Sequence, residues 1–195
     1  MKVPLYIIVD VSGSMNEMGK ILLQRNLCRY VAQLRLMDQE KYSGLDIRFY
    51  QWAQNVYEIV LQSDGNIPAL NADGSSNLCV ISNFLSQYLN RTTRPMVLIL
   101  SDGNFPNSDI VSFQKKLDTF SDLIIRTVAV GADADLLKLK KISTNNTVYL
   151  SENIASAIDS TIFGFDEPLT APVFTAGILE SVPAETEEPE EDWDA

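Results

Sequence analysis

The sequence predicts an α/β fold: a doubly wound, Rossmann-like, mostly parallel six-stranded sheet with helices on both faces. Three observations carry this. Residues 3–9, 95–100 and 123–130 are largely apolar runs, halted at Asp10, Ser101 and Gly131. A strand is apolar along its whole length, rather than at alternate positions, when both of its faces are covered. The segments between these runs place apolar residues three and four apart, the spacing of amphipathic helices. Finally, the link Gln54-Asn55 between residues 45–53 and 56–61 is so short that these two strands must be antiparallel neighbours.

The elements follow in order. A first helix is expected over 18–39, with Leu23, Leu27, Tyr30, Val31, Leu34 and Met37 inward. The strands at 45–53 and 56–61 come next. Residues 63–77 are dense in turn formers and read as a long loop. A helix over 78–89 presents Leu78, Ile81, Leu85 and Leu89. The strand at 95–100 leads to a helix over 108–120 with Ile110, Phe113, Leu117 and Phe120 inward. The strand at 123–130 is followed by a short helix at 134–142, an edge strand at 147–150 and a last helix at 153–163, with Asn153 as its N-cap. Strands alternating with helices imply a covered parallel sheet. Right-handed crossovers and double winding give the order 3-2-1-4-5-6, with strand 3 antiparallel at one edge. Residues 1–165 are expected to form this domain, and 166–195 an acidic, proline-containing tail, partly disordered or a docking segment, whose acidic end reads most plainly as a disordered, solubilising stretch.

Composition narrows the function. The chain has 195 residues, enough for one domain with a real core, and 46% of them are hydrophobic. No stretch approaches the about 18 apolar residues of a membrane span. The apolar run after Lys2 is short, contains Pro4 and ends at Asp10 without a cleavage pattern, so it is not read as a signal peptide, and a cytoplasmic location is expected. Cys28 and Cys79 both fall in apolar helical patterns and read as buried thiols. There is no histidine, which excludes Ser-His-Asp and Cys-His catalysis and His-ligated zinc. The net charge is −11, yet residues 166–195 hold ten acids and no base, leaving 16 acidic against 15 basic groups before them. A body so nearly neutral lacks the basic face that nucleic acid or an anionic membrane would need.

The chemistry gathers where strands end. After the first strand comes Asp10-x-Ser12-x-Ser14, one carboxylate and two hydroxyls on a short loop. After the strand at 95–100 comes Ser101-Asp102-Gly103. In a doubly wound sheet, ligands sit at the C-terminal strand ends where the order reverses, between these two strands. Topology therefore brings together two carboxylates that lie far apart in the chain. Hard oxygen donors of this kind suit Mg²⁺, Mn²⁺ or Ca²⁺. Read alone, each half is also an ordinary turn: a Gly-containing loop with a capping serine, and an Asp-Gly turn.

Together, the pieces are similar to those of the von Willebrand factor A (VWA) domain family in the form that carries a metal-ion-dependent adhesion site (MIDAS). The resemblance runs over residues 3–163. Its pieces are Asp10-x-Ser12-x-Ser14, a loop hydroxyl just before a helix, and Asp102 of Leu-Ser-Asp-Gly. The opening Pro-Leu-Tyr-Ile-Ile-Val-Asp-Val-Ser-Gly-Ser-Met and the phrase Thr-Val-Ala-Val-Gly-Ala-Asp-Ala-Asp resemble the bacterial intracellular tellurite-resistance type. The family's usual Gly-Gly-Thr is here Gly74-Ser75-Ser76. Alignment on Asn77-Leu78 puts Ser76 in the threonine's place, with Ser75 in reserve and helix capping as the plain alternative for both. A serine hydroxyl ligates as well as threonine's but lacks the methyl that restricts the rotamer.

The resemblance implies Ser12, Ser14 and Ser76 as direct Mg²⁺ ligands, with Asp10 and Asp102 binding directly or through water. It implies a non-enzymatic, Mg²⁺-dependent protein-interaction module whose metal takes an Asp or Glu carboxylate from a partner. In the tellurite-resistance setting this is an adaptor in a bacterial stress-response or defence-type complex, with a protein kinase, a phosphatase or an AAA+ ATPase as partner. The competing readings are a metal-dependent phosphohydrolase and a structural subunit with an empty site. A haloacid-dehalogenase pattern would need an acid at position 12, a dinucleotide fold would need Gly-x-Gly-x-x-Gly, and neither is present.

Several other residues are read more plainly. Trp52 packs at the sheet's end. Lys138, Lys140 and Lys141, and likewise Arg25, Arg29 and Arg35, are solvated helix faces. Phe105 and Pro106 are expected on the rim of the site, where an exposed aromatic would form part of a docking surface and simple loop packing is the plain alternative. The apolar middle of the tail, 169–183, is expected to lie along the body or bind a partner. The last helix should deliver the tail to the sheet edge opposite the metal. A flexible tail of this length spans roughly 30 Å. It could therefore place a carboxylate on its own site or on a neighbour's, a route to self-association.

Overall fold

The computed structural model describes residues 2–89, 95–120 and 122–164, with the side chains of Arg35, Tyr88 and Leu89 excepted. The tail, and every expectation placed on it, lies outside the described residues, as do the Arg35 and Leu89 side chains. Six strands form one sheet: β1 (Val3–Asp10), β2 (Leu45–Trp52), β3 (Val56–Glu58), β4 (Met96–Ser101), β5 (Ile124–Ala129) and β6 (Val148–Leu150). Their order is β3-β2-β1-β4-β5-β6, and only β3 is antiparallel to its neighbour. Among the described residues six helices cover it: α1 (Lys20–Met37), α2 (Gln39–Tyr42), α3 (Leu78–Leu89), α4 (Asn107–Leu117), α5 (Leu136–Ile142) and α6 (Ile154–Phe163). The fold, strand order and antiparallel edge are those the sequence predicts.

Two cores explain why β1 is apolar throughout. Leu5, Ile7 and Val9 pack with Leu27, Val31 and Leu34 of α1 and with Ile154, Ala157 and Ile158 of α6. Tyr6 and Ile8, facing the other way, pack with Leu78, Ile81 and Leu85 of α3, Ile110 and Phe113 of α4 and Leu139 of α5. Alternate residues of one strand serve opposite layers. Burying each large apolar side chain contributes about 1.5–3 kcal/mol before entropy is counted.

Element ends depart from the sequence reading for local reasons. The first helix starts at Lys20, because a 3₁₀ segment over Gly13–Gly19 leads into it through Met18 and Gly19, at φ of 51° and 73°. It ends at Met37, where Asp38 caps the separate turn α2 by accepting from the Lys41 N–H. Leu23 and Met37 are exposed rather than inward, at 36% and 64%. The strand expected over 56–61 stops at Glu58. Ile59 still donates to the Phe49 carbonyl and turns into the core, but Val60 points outward. The helix expected from 134 starts at Leu136, because Asp135 caps it by accepting from the Lys138 N–H. The helix expected to reach 120 ends at Leu117. Asn153 stands at the N-cap of α6 but makes no side-chain cap bond.

The last helix runs back towards the N-terminal edge of the sheet. There Asp159 accepts from Tyr42 Oη at 2.9 Å and from Lys41 Nζ at 2.7 Å, just ahead of β2. The described chain therefore ends away from the C-terminal strand edge. Among the described residues no helix is long and apolar enough to cross a membrane.

Candidate metal centre

Three loops meet at the C-terminal edge of β1 and β4, and backbone bonds lock the first two together. Val11 N–H donates to the Trp52 carbonyl, Gly13 N–H to the Gly74 carbonyl and Asp73 N–H to the Val11 carbonyl, each at 2.8 Å. The 10–14 loop is thus fastened to the loop preceding α3. The floor is apolar. Trp52 is fully buried, its ring centroid 6.3 Å from that of Phe105, and its indole N–H donates to the Asn77 carbonyl at 2.8 Å. The expected packing role of Trp52 is what the structure shows. Phe105 takes the loop-packing alternative rather than that of an exposed docking surface. It is 2% exposed and belongs to the floor, while Pro106 beside it is exposed. The ring is the largest apolar group in its loop, and packing on Trp52 removes it from water.

All five predicted ligands lie on the loops at this edge; the three hydroxyls line a cavity there, and the two carboxylates are buried and not part of its lining. Ser12, Ser14 and Ser76 line one cavity of about 640 Å³, together with Ser75, Asn104 and Lys138. Ser12 and Ser14 hold their hydroxyl oxygens 3.3 Å apart. Ser76 is nearly buried and its hydroxyl donates to the Asn104 carbonyl at 2.7 Å, whereas Ser75 is exposed. Behind the hydroxyls lie the carboxylates. Asp10 is fully buried; its Oδ1 accepts from the Ser12 N–H at 2.9 Å and its Oδ2 from Ser101 Oγ at 2.6 Å. Asp102 is 3% exposed, and its Oδ1 accepts from the Asn104 N–H at 3.0 Å. The turn after Asp102 needs a glycine. Gly103 has φ +77°, and a Cβ there would lie 2.8 Å from the Asp135 carbonyl oxygen.

The charges are unbalanced in an informative way. Asp10 has hydrogen-bond donors but no cation among the described residues. Burial pushes its carboxyl up to about 6, against the opposing pull of the Ser101 and Ser12 bonds. Asp102 is different. Its Oδ2 accepts from the ammonium of Lys20 at 2.8 Å, and Lys20, 1% exposed, also donates to Asp133 Oδ2 at 2.8 Å. Burial pulls the Lys20 ammonium down, but its bonds to Asp102 and Asp133 outweigh this and hold it above the ordinary lysine range. The same contact holds Asp133 below the usual carboxylate range.

Lys20 was not among the predicted site residues, nor was Gln24, whose amide donates to the Leu100 carbonyl at 3.2 Å. The signal for both was present. The buried stripe of α1 runs Lys20, Gln24, Leu27, Cys28, Val31, Leu34. Extending the apolar stripe 27-31-34 back by three and then four reaches 24 and 20. A search for apolar residues alone stops short, because the stripe turns polar where it enters the site.

Other plain readings also shift. Lys138 donates to the Phe105 carbonyl at 2.9 Å and lines the cavity, so it is not simply a solvated lysine. Lys140 is half-buried and Lys141 exposed. Arg25 donates from Nε and Nη2 to the Ile67 carbonyl, at 3.2 and 3.0 Å, and fastens the long loop to α1, while Arg29 is exposed. Cys28 is buried, as expected, but Cys79 is only half-buried. Both are free thiols.

Among the described residues no three His, Cys, Asp or Glu side chains gather as for a metal. The centre is instead three hydroxyls backed by two carboxylates, an all-oxygen set. That set fits a hard divalent cation. So does the buried, cation-free Asp10 carboxylate, an arrangement that is costly without a positive charge nearby.

No family model and no curated protein matches this sequence. Solved structures do. The ArnB paralog VWA2 from Sulfolobus acidocaldarius superimposes with a TM-score of 0.62 at 15% identity, covering 83% of this chain and 46% of that one. The manganese-loaded TRAP protein of Plasmodium vivax gives 0.57 at 15% identity, covering 79% and 71%. Proximal thread matrix protein 1 from the mussel byssus, with a zinc-occupied MIDAS motif, gives 0.59 at 12% identity, covering 80% and 45%. The chain thus spans under half the length of the first and third of these. At such identities the likeness establishes architecture: the chain has the fold of von Willebrand factor A domains.

Proposed function

We propose that this chain is a divalent-metal-dependent protein-interaction module. Ser12, Ser14 and Ser76 would hold the cation, with Asp10 and Asp102 behind them, directly or through water. The observation that carries the reading is Asp10: a wholly buried carboxylate with no cation partner, directly behind a cavity lined by hydroxyls. Neutral hydroxyls leave a dication underneutralised, so the metal would offer an open position to an Asp or Glu carboxylate of a partner protein. Structures with this fold that carry manganese or zinc support the same reading. The all-oxygen donor set favours Mg²⁺ in the cell, with Mn²⁺ or Ca²⁺ able to replace it.

The chain's own groups do the rest of the work. Ser12 N–H and Ser101 Oγ orient the Asp10 carboxylate. Asn104 N–H orients that of Asp102, and the Trp52–Phe105 floor supports the loops that present the hydroxyls. Lys138 and Asp109, both on the cavity wall, would contact the partner beside its acid. The resemblance to tellurite-resistance proteins extends the proposal to a non-enzymatic adaptor in the bacterial cytoplasm, serving a stress-response or defence complex. A protein kinase, a phosphatase or an AAA+ ATPase would be the partner class. Affinity capture with and without EDTA tests the reading. Partners should be retained only with metal and lost in Asp10→Ala with the fold intact. Capture unchanged by EDTA and by Asp10→Ala would overturn it.

A further inference from the structure

We propose that Lys20 is a built-in counter-charge that holds Asp102 in place and weakens the cation affinity of the site. The inference rests on the metal reading above and adds to it a residue that tunes how tightly the ion is held.

The geometry is specific. Lys20 opens α1, and its ammonium reaches Asp102 Oδ2 after β4 and Asp133 Oδ2 after β5, both at 2.8 Å. The stem crosses Gly131, at φ +96°, where a Cβ would lie 2.6 Å from Lys20 Cδ. Only a glycine leaves that passage open. The other Asp102 oxygen is fixed by the Asn104 N–H. Asp102 is therefore held from both sides in one orientation before any ion arrives.

Stability alone does not explain this lysine. A buried ion pair recovers its desolvation cost poorly, and replacing both partners by apolar side chains of similar volume is often neutral or stabilising, whereas removing the lysine alone leaves a buried carboxylate uncompensated. Lys20 is also the first residue of its helix, where the macrodipole disfavours a cation. What the lysine does do is cancel one of the two carboxylates behind the hydroxyls. A dication placed there meets one uncompensated anion, Asp10, instead of two, and also feels a like charge that is almost wholly withdrawn from solvent. The ion is held less tightly and stays more attractive to an incoming carboxylate.

The test is Mn²⁺ affinity, read by electron paramagnetic resonance of free ion, in wild type, Lys20→Met and Asp133→Asn. Lys20→Met should bind Mn²⁺ at least tenfold more tightly, while its metal-free form melts at a lower temperature. Asp133→Asn leaves the ammonium on Asp102 alone and should bind several-fold more weakly. A lysine that merely props up the site would give the opposite sign in Lys20→Met. Unchanged or weaker binding there, with Mn²⁺ still bound by wild type, overturns the role of Lys20 and leaves the metal reading standing. Should Lys20→Met fail to fold, unchanged or tighter binding in Asp133→Asn overturns it equally. If wild type itself binds no Mn²⁺, the metal reading falls and this inference falls with it.

Discussion

Ser101 Oγ donates a 2.6 Å hydrogen bond to Asp10 Oδ2 across 91 positions of sequence. The same oxygen accepts from the Gly103 N–H at 3.0 Å. One hydroxyl thus joins the end of β1 to the turn after β4, and neither side chain meets water. Replacing Ser101 by alanine orphans the Gly103 N–H and takes a donor from a buried carboxylate. Each such loss costs about 1–3 kcal/mol. Urea unfolding of Ser101→Ala should therefore show a clear loss of stability and a weaker divalent ion. A midpoint equal to that of wild type would show that the bond carries no weight.

Asp10 makes the metal-free fold sensitive to pH in an unusual direction. Its carboxyl is raised by burial from 3.8 to about 6. A raised folded value means that the fold prefers the protonated acid. The stabilisation is full below about 3.8 and is lost as pH rises through about 6. At 1.36 kcal/mol per unit the span is about 3 kcal/mol. Other carboxylates titrate in the opposite sense, so the useful quantity is the difference between Asp10→Asn and wild type, both in chelator. The stability of Asp10→Asn relative to wild type should rise by about this amount between pH 4 and pH 7.5. A difference that stays flat across that range would mean that Asp10 ionises as freely as a surface acid.

The choice between the two loop serines is open to direct measurement. Ser76 is nearly buried, 2.7 Å from the Asn104 carbonyl, while Ser75 is exposed. Ser76→Ala should weaken Mg²⁺ binding about tenfold, a loss of about 1.4 kcal/mol, and Ser75→Ala should leave it unchanged. Titration calorimetry on the two variants decides this. The reverse ranking would move the third hydroxyl to Ser75. Ser76→Thr keeps the hydroxyl and should keep the affinity.

The fold was legible because its strands are extreme. Val3–Asp10 and Met96–Ser101 are buried on both faces, and that condition writes itself into sequence as an unbroken apolar run. The position of Asp10 beside Asp102 followed from strand order alone. Element ends were less legible, since they depend on single caps such as Asp38 and Asp135 and on a left-handed Met18. Phe105 stays open between docking and packing in the sequence, because a loop aromatic reads the same whether it faces solvent or a tryptophan. Lys20 was overlooked for a related reason. Its charge marks it as surface, and only the three-dimensional pairing with Asp102 and Asp133 makes burial affordable.

Whether the hydroxyl cluster holds an ion at all is read from free Mn²⁺ in solution as protein is added, for wild type and Asp10→Ala at neutral pH. Wild type should remove one Mn²⁺ per chain from solution. Asp10→Ala, with an unchanged far-ultraviolet circular dichroism spectrum, should remove none. A wild type that leaves all the Mn²⁺ free, or an Asp10→Ala that binds as wild type does, would contradict the metal centre itself.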